Sequence, residues 1–408
     1  MVKKNREVWR EMGLFGPDSD PANQLLFYRF NSKCLICKID LAPKTLYFSD
    51  QILAVRLLCL LLLLPLLPVC RREPRKVQPA FYFWQTRYAP DATAIAYLDA
   101  LDCQTLYIKL FDIGRAEGSS TIQPYARLEL ADTAGLAGRE IVPCVFLTNA
   151  VFQEIRELEL RSLSEKLAAA LLAHPLYRRQ GPSAEVQFDC DWTPSTRDAF
   201  FSFMQKMRAK LPPGTRLSAT IRLHQYKYPG KTGVPPADRG MLMCYNTGDI
   251  DDPAARNSIY DEPDARAYLR GAPARYPLPL DLALPIFHWS LVYRDGELWK
   301  IIPGLTTTEL ADTAFFSPVR VENAATAAPV YTVKRATLRE GHYLRPGDWV
   351  RWEGLSPAQL RDAAGLAAQF DLAPDARVAF FHLDSALIRR FPVRYLHDVC
   401  RILSVPPR

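Results

Sequence analysis

The sequence predicts an α/β fold, a (β/α)8 TIM-like barrel with a β-rich insertion between its seventh and eighth strands. Three observations lead there. Apolar runs of strand length recur eight times between residues 80 and 384, bounded by turn residues. Segments with helical spacing separate several of them, as parallel strands joined by crossovers require. Eight such strands close most economically into a ring. An open doubly wound sheet is the alternative. No G-x-G-x-x-G follows the first run and no G-x-x-x-x-G-K-[ST] occurs, so no nucleotide cofactor is implied.

Taken in order, "AFYFWQTRY" (80–88) is the first strand, aromatic and extended. "TLYIKLFDI" (105–113) and "EIVPCVFLTNAVF" (140–152) are the second and third. "SLSEKLAAALLAH" (162–174) has apolar residues at helical spacing after a Ser start. "EVQFDCDW" (185–192) is strand four. "STRDAFFSFMQKMRAKL" (195–211) is a helix opened by a Ser or Thr cap and closed by Pro-Pro-Gly. "RLSATIRLHQ" (216–225), "RGMLMCYN" (239–246) and "LPLDLALPIFHWSLVY" (278–293) supply strands five to seven. The insertion spans about 296–350, where "GELWKIIPG", "VYTVKRATL" and "GDWVRWEGL" read as short strands. "LSPAQLRDAAGLAAQF" (355–370) is a helix, "ARVAFFHLD" (376–384) strand eight, and "FPVRYLHDVCRIL" (391–403) the closing helix. The barrel domain therefore runs from 80 to 408.

The chain has 408 residues, 49% hydrophobic and 23% charged, ordinary for a globular protein. Its net charge of +7 comes without a basic cluster interleaved with aromatics, which speaks against a nucleic-acid partner. The run Leu57–Leu67 is apolar but short for a transmembrane helix. It matches the hydrophobic region of a secretory signal flanked by Arg56. Such a signal belongs at a chain start, so residues 1–54 read as a mis-called extension and Val55 as an alternative bacterial start. Residues 55–70 are then a signal ending at Cys70. After "LLPV", Cys70 resembles the lipidation cysteine of bacterial lipoproteins, with Val69 where a small residue is usual. "RREPRKVQP" (71–79) reads as a tether. These features imply export and a lipid anchor at the cell envelope.

Nine cysteines make no disulfide framework here. Cys34 and Cys37 form a single C-x-x-C without a second pair, so no metal site is implied. Cys144, Cys190 and Cys244 lie in apolar strands and read as small hydrophobic fillers.

In a parallel barrel the site lies at the carboxyl ends of the strands. Those ends offer Trp84 and Gln85, Asp112, Asn149, then Asp189, Asp191 and Trp192. Strand five adds Arg222, His224 and Gln225, strand six Tyr245 and Asn246, strand seven His288 and Trp289, and strand eight His382 and Asp384. Aromatic rings beside carboxylates and amides suit a sugar-binding cleft. Asp189 and Asp191 occupy alternate positions of a strand, so both should project inward, where charge is rarely left without a purpose or a partner.

"FDCDWTP" (188–194) resembles the strand-four signature of family-18 glycoside hydrolases, the chitinase-like barrels, in which D-x-x-D-x-D-x-E is often written "DIDWEYP". "MCYN" (243–246) resembles the strand-six M-x-Y-D of the same family. Asp189 and Asp191 match the two later aspartates, and Met243 and Tyr245 the strand-six Met and Tyr. Thr193 stands where the family has its general-acid glutamate, Val186 replaces the first aspartate, and Asn246 replaces the strand-six Asp. The resemblance implies a glycan partner and, with Thr193 unable to give up a proton, failure of the usual acid step.

Three readings stay open. In an enzyme with redistributed acid/base residues, Asp191 and Asp189 act with Tyr245, and His224 or His288 is an alternative donor. Trp84, Gln85, Trp192, Arg222, His224, Asn246, His288 and Trp289 would line its substrate cleft. A binding protein would keep the groove and lose the acid. A scaffold would neutralise both aspartates with Arg222.

Overall fold

The apolar runs are buried almost without interruption, alternate side chains turning into a shared interior and the others outward against the covering layer, and the strands carrying them close into a ring. The computed structural model describes residues 74–116, 121–180, 185–319 and 328–405. The extension, the signal segment with Cys70, and tether residues 71–73 lie outside the described residues. Among those described, eight strands run parallel in the closed sheet. They are β1 (Gln78–Phe83), β2 (Thr105–Arg115), β3 (Glu140–Leu147), β4 (Glu185–Asp189), β5 (Arg216–Arg222), β6 (Arg239–Met243), β7 (Leu280–Pro285) and β8 (Arg377–Phe381). Closure is made by β1, whose Ala80 is opposite Thr105 of β2 on one side and Ala379 of β8 on the other. An open sheet would leave both ends unpaired, so the doubly wound alternative is excluded.

The helices follow their caps. They are α1 (Ala92–Ala100), α2 (Glu157–Ala173), α3 (Arg197–Lys210), α4 (Glu262–Leu269), α5 (Pro357–Ala367) and α6 (Val393–Ser404). Asp91 accepts from the Ala94 amide and Ser356 from the Gln359 amide, each satisfying an orphan donor of the first turn. The α2 helix starts earlier than the apolar spacing suggests, because Glu159 folds back on the Arg156 amide. Between β2 and β3 no helix is described. An antiparallel strand, Ile122–Arg127, pairs instead with the overhanging end of β2.

The β-rich insertion is larger than the sequence suggests. Barrel strand seven ends at Pro285, and His288–Arg294 already belongs to a separate antiparallel sheet that ends with Trp349–Gly354. The sheet encloses its own core of Val292, Ile302, Leu305, Leu310, Phe316, Val333, Leu344 and Val350. One apolar run read as a single strand is thus two, split because its halves bury their side chains in different cores.

Inside the ring the side chains form layers. At the base, Arg377 donates to Glu185 Oε2 at 2.7 Å, to Glu140 Oε2 at 3.0 Å and to the Tyr107 hydroxyl at 3.0 Å. Arg239 joins Asp281 at 2.8 Å. Above them the Tyr82 hydroxyl donates to Gln187 Oε1 at 2.5 Å, beside Cys144. The top layer carries the candidate site.

Candidate functional site

The parity that aims Glu185 and Gln187 inward does the same for Asp189, the last residue of β4 and only 4% exposed. Its Oδ1 accepts from the Thr220 hydroxyl of β5 at 2.6 Å. Asp191 lies two residues past the strand, with its side chain 46% exposed. Both its oxygens are taken by Arg222, the last residue of β5, through Nε and through Nη2 at 2.8 Å. Of the pair, Asp189 is thus buried within the ring and Asp191 is partly exposed beyond the strand end. Asp191 is outside the strand because the chain is already turning into α3. The pairing with Arg222 is the one the scaffold reading names.

On β2 a bulge between Lys109 and Phe111 adds one residue to the strand. It puts Lys109 and Asp112 on the same inward side, where they form a buried ion pair at 2.8 Å. Lys109 also lies 5.3 Å from the centre of the half-buried Trp84 ring. Sequence reasoning missed Lys109. Its only signal was one basic residue in the apolar run TLYIKLFDI, and the bulge that aims it is invisible in a pattern of period two. Phe381 was missed as well. Its ring meets Trp84 at 5.5 Å, Tyr245 at 5.7 Å and Phe287 at 5.7 Å, which makes it the centre of an aromatic floor.

Burial dominates the electrostatics. It pushes the Asp189 carboxyl up to about 6, against the pull of Arg222 and with the repulsion of Asp191 behind it. Burial brings His224 down to about 4, Asp191 opposing and Arg222 reinforcing. It lowers His382, with Asp384 opposing and Lys109 reinforcing. The Tyr245 phenol is raised by burial, Arg222 opposing and Asp189 adding to the effect. Its hydroxyl lies 3.7 Å from Met243 Sδ. The mouth thus holds the raised Asp189 carboxyl, two acidic groups paired with cations, Asp191 with Arg222 and Asp112 with Lys109, and neutral imidazoles.

Other sequence-predicted residues fall elsewhere. Trp192 is 1% exposed, stacks on Phe200 at 5.2 Å and donates to the Thr232 carbonyl at 2.9 Å. It is core packing and has no surface for a ligand, a correction to its expected role. Thr193 is buried too, its hydroxyl 2.9 Å from Ser195 Oγ at the start of α3. Asn149 accepts from Thr196 at 2.5 Å. His224 and Gln225 sit on a short helix, Leu223–Lys227, that begins where β5 ends, and Gln225 donates to the Trp192 carbonyl. Asn246 is exposed with φ 55°, a left-handed conformation that asparagine tolerates. Gln85 donates to Asp384 Oδ2 at 2.6 Å, while Asp384 Oδ1 caps the helix Ser385–Ile388. His288 and Trp289 are on the insertion sheet, not at a barrel strand end, and Trp289 Nε1 donates to the buried Glu353 at 2.7 Å. Among the described residues no set of three His, Cys, Asp or Glu is grouped to hold a metal ion. No described helix is long and apolar enough to cross a membrane.

No protein-family model matches the sequence, and no curated protein does. Solved structures do resemble it. The Bacillus cereus spore cortex-lytic enzyme SleL is 14% identical over 80% of this chain and 75% of its own, with a TM-score of 0.48. A chitinase from Chromobacterium violaceum is 14% identical over 81% of this chain and 99% of its own, also at 0.48. A Rhizomucor miehei chitinase is 11% identical over 80% of this chain and 100% of its own, at 0.46. The barrel itself stands on the strand pairing above.

Proposed function

We propose that this chain binds a glycan in its barrel mouth without the proton donation by which chitinase-like barrels cleave one. One observation carries the reading. Asp191 is held at both oxygens by Arg222, while the residue in the general-acid position, Thr193, is buried with its hydroxyl on Ser195 and Thr196, just before α3. Both Asp191 oxygens are therefore already engaged by a guanidinium, and a threonine hydroxyl gives up no proton near neutrality. What is left suits recognition. Trp84 and Phe381 offer ring faces, and Lys109, Asp112 and Asp189 offer polar groups for hydroxyls.

Binding to a panel of glycans, read beside product release from the same panel, tests this. The expected result is binding without cleavage, weakened about tenfold by Trp84→Ala, near 1.4 kcal/mol. Glycan release by the unmodified protein would overturn it. A second reading has its own support, since burial keeps Asp189 near 6, a range suited to a general acid. Under that reading cleavage is present, falls as pH rises through about 6, and disappears in Asp189→Asn.

The same proposal places the protein at the cell envelope, exported and lipid-anchored through Cys70. Metabolic labelling with palmitate should mark the protein and be lost in Cys70→Ser. Any peptide from residues 1–50 in mass spectra of the native protein would refute the internal start.

A further inference from the structure

Beside the mouth, where the insertion sheet meets the barrel, polar groups of three neighbouring side chains are buried with no hydrogen-bond partner among the described residues. They are Nη1 of Arg390, Nε1 of Trp352 and Nδ1 of His288. The side chains are in contact. The Arg390 guanidinium carbon is 5.0 Å from the Trp352 ring centre, and the His288 ring centre is 5.5 Å from it. Gly354 lies among them. A Cβ there would come within 2.8 Å of the Trp352 ring, 3.0 Å of His288 Cβ and 3.2 Å of Arg390 Nη2, so only glycine allows this approach.

Among the described residues no carboxylate pairs with Arg390. Arg390 donates through Nη2 to the Leu355 carbonyl at 2.9 Å, a neutral partner. The acids nearby are committed. Glu353 points to the opposite face of its strand from Trp352 and receives Trp289, Arg351 and Ser258. Asp384 caps a helix and receives Gln85. Burial lowers the Arg390 guanidinium, and it brings His288 down to about 4, Arg390 reinforcing and Asp384 opposing. Desolvated charge without a counter-ion costs several kcal/mol. A planar guanidinium fork and an indole N–H can only donate, and imidazole donates from one nitrogen or both. Such a set matches the oxygens of an oxyanion.

The site adjoins the mouth. His288 follows Phe287, whose ring meets Tyr245 at 5.8 Å and Phe381 at 5.7 Å. We propose that Arg390, Trp352 and His288 form an oxyanion subsite that receives an acidic substituent of the glycan, a carboxylate or an ester of phosphate or sulfate. This rests on the reading that the mouth binds a glycan, and it makes that glycan anionic.

The test is calorimetry on the full chain with three probes: inorganic phosphate, a uronate-containing oligosaccharide, and a neutral oligosaccharide of equal length. The unmodified protein should bind phosphate and should prefer the uronate over the neutral sugar by about tenfold or more. Arg390→Met should abolish phosphate binding and the preference, leaving neutral-sugar affinity unchanged. Trp352→Phe keeps the ring and removes one donor, and should lower both by about threefold, which covers a failure of the arginine variant to fold. Neutral-sugar binding without acidic preference and without phosphate binding would overturn the subsite while the mouth reading survives. Arg390-dependent phosphate binding with no sugar bound would support the oxyanion site and sink the mouth reading. Phosphate binding or a preference that persists in both variants would overturn the assignment to these residues.

Discussion

Arg377→Met should lower the free energy of unfolding by about 3–5 kcal/mol, the cost of leaving a buried charge unpaired. Arg377 anchors the base of the barrel. It meets Glu185, which is 1% exposed, and Glu140, and its backbone amide donates to Asp281 at 2.7 Å. Among the described residues the other cation paired with Glu185 is Arg216, at 3.5 Å and half exposed. Without Arg377 the buried Glu185 carboxylate keeps only the longer, half-exposed contact to Arg216. Urea denaturation measures the loss. Adding Glu185→Gln removes the stranded charge, so the double variant should regain more than half of it. A loss below about 1 kcal/mol in the single variant would show that the base network is not a stability element.

Asp189→Asn should act in the opposite direction. An ordinary aspartate titrates near 3.8, whereas burial holds Asp189 near 6 in the folded protein. Folding then takes up a proton between those two values. The contribution of the neutral carboxyl is fully present below about pH 3.8 and is lost as pH rises through about 6. Across roughly two pH units at about 1.4 kcal/mol each, the ionised group costs about 3 kcal/mol at pH 8. The amide keeps the shape and can still accept from Thr220. The variant should therefore be more stable than the parent by about 3 kcal/mol at pH 8, with the gap shrinking towards zero below pH 4. A gap that does not change with pH would mean that Asp189 ionises in the fold as it does in water.

The barrel was legible because it depends on properties a strand carries in its own sequence. Runs such as AFYFW and EVQFD have the length and period of buried strands, and the helices between them announce their caps. The β7 boundary was harder. LPLDLALPIFHWSLVY reads as one apolar run, and nothing in it says that Pro285 ends the barrel and His288 opens another sheet. The candidate site was partly legible for the same reason. Asp189 is placed by parity, whereas Asp191 is placed by the turn into α3, which parity does not describe. Trp192 looked like a cleft aromatic because its neighbours are polar, yet Phe200 and the Thr232 carbonyl, one helix and one loop away, bury it.

What the chain alone determined was the ring of strands and the inward aim of Asp189. Those follow from side-chain period and hydrophobicity, which are local. The tertiary structure decided who answers each charge: Arg222 for Asp191, Lys109 for Asp112 through a bulge, and no carboxylate for Arg390. Counter-ions are chosen by distance in space, and that distance exists only once the ring has closed.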